Sequence, residues 1–362
     1  MVSAAALGVA LVVATSALPG HAAAAPEPAF IGSASYPTGL VFQGTEVGGL
    51  SGLTYDDTRG VYYAISDDRS ERAPARFYTL RIDLTDGSLT RPDVRIVAVT
   101  TLLGPDGLPF PALSVDPEGI ALSADDTLVI TSEGDAANLV DPFVREFALD
   151  GRQLAELPVP VYYDPVDGGA VGIRTNLAFE SAGFTVDRTQ FFTGTENALA
   201  QDGPTATLTS GSPSRLLRYD AATQELLAEY VYVTDAIPQT PVPPDAFATN
   251  GLVDLLPLDA TRLIAVERAF STGVGNSIRL YSVDLSAATD VEGVPSLRRG
   301  TPVGQPARKK LLLDLDVLGL SLDNVEGITY GPLLPDGGRS VILVADNNFS
   351  PTQVTQFIAL SV

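Results

Sequence analysis

The chain has 362 residues, no cysteine and a single histidine, His21. That excludes disulfides, thiolate nucleophiles, imidazole proton shuttles and His- or Cys-ligated metal from everything that follows His21. With 44 acidic against 22 basic side chains and a formal charge of -22, the surface repels nucleic acid and anionic lipid and favours cations.

In chain order, the segment from Met1 to Ala25 carries no Asp, Glu, Lys or Arg and is rich in Ala, Val and Leu. It ends in Ala22-Ala23-Ala24-Ala25 before Pro26, an A-x-A-like cleavage pattern. Pro19-Gly20 interrupts the apolar run, which is short for a spanning helix. The reading is a secretory signal over residues 1–25 and one mature domain over 26–362. The expectation is a secreted, monomeric protein without a membrane span.

Phe30–Tyr36 reads as a lone strand. Behind it, one phrase returns five times at nearly regular intervals. The copies are Ser51-Gly52-Leu53 with Ser66-Asp67, then Glu118-Gly119-Ile120 with Ser132-Glu133, then Glu180-Ser181-Ala182 with Thr195-Glu196. Asn250-Gly251-Leu252 with Val266-Glu267, and Glu326-Gly327-Ile328 with Ala345-Asp346, complete the set. Each opens on an oxygen-bearing residue, runs through a polar turn and a hydrophobic stretch, and closes on a carboxylate. A second strand leads into each closing acid: Val61–Ile65, Thr127–Thr131, Gln190–Thr193, Arg262–Val266 and Ser340–Val344. A third follows: Arg76–Ile82, Val144–Leu149, Ser214–Tyr219, Ser277–Val283 and Gln353–Leu360. Most units continue into a fourth, as Leu154–Leu157 does. No stretch holds helical periodicity over a dozen residues.

Four strands repeated radially make an all-β propeller of four-stranded blades, with five blades visible. A sixth would have to lie in Leu199–Ser212 or Glu292–Arg308, neither of which carries the full phrase. These stretches and the Pro-rich Pro238–Pro244 read as loops. The last unit lacks a fourth strand, and Phe30–Tyr36 is available to supply it, closing the ring and covering two edges.

Opening and closing residues of a phrase sit at the same end of an antiparallel hairpin. Ser51, Glu118, Glu180, Asn250 and Glu326 are therefore expected around one channel mouth, with Asp67, Glu133, Glu196, Glu267 and Asp346 beside them. Asp and Asn also close turns and cap strand ends, but ten oxygen-bearing positions in register favour a shared site. Crowded carboxylates raise one another's pKa unless a cation compensates. An all-oxygen set suits Ca²⁺. The predicted ligands are Asp67, Asp68, Glu118, Glu133, Glu180, Glu196, Glu267, Glu326 and Asp346. Asp116, Asp135, Asn176, Asn197, Asn324, Asn347 and Asn348 are further oxygen donors nearby. Arg69 and Arg268 stand beside the acids, either as salt-bridge partners or as forks for a phosphate oxyanion.

The phrases Gly49-Leu50-Ser51-Gly52-Leu53-Thr54-Tyr55 with Ser66-Asp67-Asp68-Arg69, Asp116-Pro117-Glu118-Gly119-Ile120 and Asn176-Leu177-Ala178-Phe179-Glu180 resemble the phytase-like domain family. So does Asn324-Val325-Glu326-Gly327-Ile328 with Asp346-Asn347-Asn348-Phe349. Members are labelled "esterase-like activity of phytase", and the resemblance spans nearly the whole mature chain. It implies a secreted propeller, calcium dependence and hydrolysis of phosphomonoesters or simple aryl esters. Lys309 and Lys310 are the only lysines, a departure from the lysine-rich phosphate pocket of a calcium phytase.

The function expected is calcium-dependent hydrolysis of a small phosphate ester, with Glu118, Glu180 and Glu326 as metal ligands or base and Arg69 and Arg268 on the developing charge. A calcium-dependent lactonase or esterase is a variant of the same reading. The alternative is a non-catalytic calcium-binding propeller that binds a ligand or partner.

Overall fold

The computed structural model describes Met1 together with residues 28–298 and 304–362. Apart from Met1, the expected signal lies outside the described residues, as do residues 299–303 within the expected loop Glu292–Arg308. Five four-stranded antiparallel sheets make up a five-bladed propeller. The inner strands are Leu50–Asp56 (blade I), Pro117–Leu122 (II), Gly183–Phe184 (III), Ala248–Pro257 (IV) and Asn324–Leu333 (V). Each touches the inner strand of the next blade, and blade V touches blade I, so the five form a closed cycle around the axis.

Blade V takes its outermost strand from the other end of the chain. Ala29–Pro37 pairs antiparallel with Val354–Ser361, as the lone N-terminal strand predicts. No sixth blade exists among the described residues, and Pro238–Pro244 forms irregular backbone. No described helix is long and apolar enough to cross a membrane.

The second strands are apolar at nearly every position because both of their faces are covered. Side chains alternate across a strand. In blade I, Val61, Tyr63 and Ile65 join Ile120, Leu128 and Phe147 of blade II, while Tyr62 and Ala64 face Ile342, Val344 and Phe357 of blade V. Three further clusters fill the interfaces II–III, III–IV and IV–V. The core is thus five wedges between blades rather than one central mass. Each buried Val, Leu, Ile or Phe there contributes about 1.5–3 kcal/mol of apolar burial, which sets the blades rigidly around the axis.

Candidate functional site

The inner strands begin at one mouth of the channel, and in blades I, II and V a local irregularity falls at the opening residue. The pairing register slips between Leu50 and Gly52, between Pro117 and Ile120, and between Val325 and Gly327. Ser51, Glu118 and Glu326 fall inside these bulges. A bulge leaves a residue unpaired and re-aims its side chain. The glycine after the opening residue is required by crowding at the axis. A Cβ on Gly119 would come within 2.7 Å of Ala182 in blade III, and one on Gly327 within 3.0 Å of the Ser51 carbonyl in blade I.

Hydrogen bonds at this mouth stitch every blade to the next. Ser51 Oγ donates to the Glu118 carbonyl at 2.9 Å, and the Ala178 N–H donates to Glu133. The Leu252 N–H donates to the Glu196 carbonyl at 3.0 Å. Arg268 Nη2 donates to Glu326 at 3.1 Å, and the Gly49 N–H donates to Asn347 at 3.2 Å, completing the circuit.

Inside lies a cavity of about 770 Å³ whose wall includes Asp67, Glu118, Glu133, Glu180, Glu196 and Glu326. Arg268 is the one cationic side chain in that wall among the described residues. Carboxylate oxygens of Asp116, Glu118 and Glu133 lie within 4.8 Å of one another. Glu118, Glu133, Glu180 and Glu196 are all buried. On the rim, Phe247 and Phe270 face each other with centroids 6.2 Å apart.

Burial dominates the electrostatics, and crowding adds to it. Glu118 is pushed well above the carboxylate range by burial, then by Glu180, Asp116 and Asp67. Glu180 and Glu133 follow for the same reasons. Asp67 is raised by burial, then by Asp346 and Glu326. Burial lifts Glu326 to about 8 although Arg268 opposes it, Asp116 to about 7 against Arg69, and Asp346 to about 6. For Arg268, burial favours the neutral form, but Glu196, Glu326 and Glu180 outweigh it and hold the guanidinium charged.

The site fits a hard cation on its own terms. Its donors are all oxygen, and Glu196 Oε1 is buried with no hydrogen-bond partner. A Cβ at position 251 would sit 2.1 Å from that atom, so the glycine keeps room for it. An orphaned buried carboxylate oxygen costs free energy that a cation would recover.

Among the predicted ligands, the structure brings Asp67, Glu118, Glu133, Glu180, Glu196 and Glu326 to the cavity wall. Asp346 lies just behind, buried, accepting the Asn348 N–H at 2.8 Å. Two predicted ligands are elsewhere. Asp68 closes a turn, accepting the N–H groups of Glu71, Arg72 and Ala73 and a 2.7 Å bond from Arg76. Glu267 is taken up by Tyr232 at 2.7 Å, the Asp235 N–H and Asn250 at 2.9 Å each, and Lys309. Both carboxylates are spent on protein donors. The two predicted arginines also part company: Arg69 binds Asp135 at 2.7 Å and lies 3.4 Å from Asp116, outside the cavity wall, whereas Arg268 lies within it. Ser51 bonds the Glu118 carbonyl of blade II and Asn250 bonds Glu267 in its own blade, and neither is a wall residue. The Phe247–Phe270 pair is new from the structure, because neither residue belongs to the repeated phrase.

A propeller with a carboxylate basket and one guanidinium at a single mouth is the class that fold and site define. The chain belongs to the Phytase-like family, described as "Esterase-like activity of phytase", whose profile matches residues 45–349. No curated protein matches it. Among solved structures, it is similar to the catalytic domain of an α-L-arabinofuranosidase from Coprinopsis cinerea at 9% identity and a TM-score of 0.48, covering 93% of this chain and 98% of that one. An endo-arabinase from Bacteroides thetaiotaomicron matches at 11% identity and a TM-score of 0.44, over 86% and 92% of the two chains. A periplasmic gluconolactonase from Pseudomonas aeruginosa matches at 11% and 0.37, over 88% and 87%.

Proposed function

We propose that the protein is a secreted, calcium-dependent hydrolase of phosphate monoesters, working at the acidic mouth. The observation that carries this reading is Arg268, a single guanidinium set in a wall of carboxylates. Its Nη2 bonds Glu326, while Nη1 makes no hydrogen bond among the described residues and is not buried as Nε is. That leaves a charged donor for an incoming oxyanion, the geometry by which Arg recognises phosphoryl groups.

Asp116, Glu118 and Glu133 would hold the ion, with Asp67, Glu180 and Glu196 adjoining. Bound calcium supplies charge to neutralise phosphoryl oxygens and to acidify a water. Without a cation the basket repels a phosphate, so the carboxylates themselves make activity conditional on metal. Glu326, which burial lifts to about 8 although Arg268 and Asn324 pull it down, suits proton transfer around neutral pH. Arg268 would steady charge that grows on the transferred group. The Phe247–Phe270 shelf offers an apolar rest for the alcohol portion of the ester. The uncharged, Ala-rich leader supports export.

The test is turnover of p-nitrophenyl phosphate and p-nitrophenyl acetate in calcium and then in EGTA. Calcium-dependent release from the phosphate is expected. Release from the acetate alone would replace the phosphatase reading with a calcium-dependent esterase or lactonase. Release from neither would leave a calcium-binding propeller that recognises a ligand or partner.

A further inference from the structure

Beyond the carboxylates, the acidic cavity opens into a cleft between blades IV and V, and its blade IV side is a single sheet face. Arg268 and Phe270 stand two positions apart on the strand Arg262–Ser271, so alternation puts both on that face, about 6.7 Å of strand apart. Thr249 pairs with Phe270 from one neighbouring strand and Asn276 pairs with it from the other, so the three form a row across the sheet, outward of the guanidinium. All four residues line the cavity. Neither the Thr249 hydroxyl nor the Asn276 amide makes a hydrogen bond among the described residues. The Phe247 ring extends the row, its centroid 6.2 Å from that of Phe270.

The facing wall belongs to blade V and is of another kind: Ser321, Asn348, Thr352 and Gln353 offer uncharged hydroxyl and amide groups. A phosphate alone would leave most of the cavity's volume of about 770 Å³ unfilled. With one cationic side chain in the wall among the described residues, a second phosphate group has no partner there, and the acidic surface turns away polyanions. The cleft is therefore matched by an alcohol that is itself uncharged, with a flat aromatic part to lie on Phe270 and polar edges to meet Asn276 and blade V.

We propose that this alcohol is a nucleoside and that the mouth hydrolyses nucleoside 5′-monophosphates, an inference that rests on the phosphatase reading and names its substrate class. The base stacks on Phe270 and Phe247, a contact open to any base because each has a π-face, and Asn276 and Thr249 meet its hydrogen-bonding edge. In a 5′-nucleotide the phosphate arm and the base project from the same side of the sugar, and the sugar separates them by a distance of the order of the Arg268–Phe270 stride. Both therefore reach one sheet face, while the 2′ and 3′ hydroxyls turn toward blade V. A 3′-phosphate leaves the ring from the other side and does not make both contacts. In the reaction a water oxygen bonds phosphorus and the bond from phosphorus to the 5′ oxygen breaks. The proton that the water gives to Glu326 passes to that oxygen, so that nucleoside and inorganic phosphate leave.

The experiment compares phosphate release in calcium from adenosine 5′-monophosphate, adenosine 3′-monophosphate, glycerol phosphate and p-nitrophenyl phosphate. The 5′-nucleotide should exceed the 3′-isomer and glycerol phosphate by roughly tenfold or more in kcat/KM, the scale of base stacking. Phe270→Ala should lower the ratio of 5′-nucleotide to glycerol phosphate by roughly fivefold or more. Binding is read separately. Phe247→Trp, at an exposed position, gives the chain its sole tryptophan. The non-hydrolysable 5′-methylene phosphonate of adenosine should quench its emission saturably, and ribose 5-phosphate should not. Hydrolysis of p-nitrophenyl phosphate with no preference for the 5′-nucleotide would overturn this inference and leave the phosphatase reading standing. A ratio indifferent to Phe270→Ala would overturn the assigned pose. Hydrolysis of no phosphate ester would overturn the phosphatase reading, and the titration then decides alone: saturable quenching keeps a nucleotide site, and its absence removes it.

Discussion

Replacing Arg268 by Met removes the one cation that the described residues place in the wall of the acidic cavity, while keeping much of the side-chain volume. The guanidinium lies 3.1 Å from Glu326 and 3.8 Å from Glu196. Breaking a buried ion pair commonly costs about 3–5 kcal/mol because a lone charge is left behind. Here the cost should be smaller, on the order of 1–2 kcal/mol, because Glu326 already takes up its proton near pH 8 and is neutral without its partner. With calcium bound even that loss should shrink, since removal of a positive charge strengthens attraction for the ion. Catalysis should respond differently. A donor aimed at charge that grows in the transition state is worth roughly 10²–10³ in rate. The assay pairs p-nitrophenyl phosphate turnover, normalised to folded protein, with thermal melts in calcium and in EGTA. Turnover within a few-fold of wild type, alongside a large drop in melting temperature under both conditions, would refute the clamp and make Arg268 a structural ion-pair partner.

Calcium in excess should raise the melting temperature, with about 2.7 kcal/mol of stabilisation at about 100 Kd, and Glu118→Gln should reduce the gain. Identical melting curves in calcium and EGTA would overturn the metal site. Asp346, Asp116 and Glu326 have folded-state pKa values lifted to about 6, 7 and 8, so the folded state holds more protons than the unfolded one across that window. Metal-free stability should therefore fall as pH rises from about 5 to 8, and a melting temperature that rose instead would contradict it. Calcium affinity should climb over the same range as ligands deprotonate. Glu267→Gln should destabilise the fold with calcium affinity unchanged by calorimetry, because that carboxylate serves Tyr232, Asn250 and Lys309.

The propeller was legible because each blade repeats the same physical problem: a second strand buried on both faces and an inner strand needing a small residue at the axis. The acids of blades II and III could be placed for the same reason. Blade IV could not. There the phrase aligns Glu267 with the closing acids of other blades, yet Gly251 pairs with Arg268. Because side chains alternate, Arg268 faces the cavity while Glu267 turns toward Tyr232 and Lys309. A one-residue difference in register exchanges an acid for a base, and no local feature of Val266-Glu267-Arg268 announces it. Asp68 misled differently: an acid directly after a closing acid looks like a second ligand, but alternation sends it to backbone donors in its own turn. Phe247 and Phe270 carry no repeat signal, and only the three-dimensional path of the Pro-rich segment brings Phe247 onto the rim.

The pairing of Ala29–Pro37 with Val354–Ser361 has a temporal side. The first of these strands leaves the ribosome while nearly all of the chain that separates it from its partner is still unmade, and contacts of such separation form late in folding. Until they form, the outer edge of blade V is unpaired. A fragment ending before Val354 would carry every acid of the site but could pair only two of the four strands of blade V, so the acids of blades V and I would be held together less firmly than in the full blade.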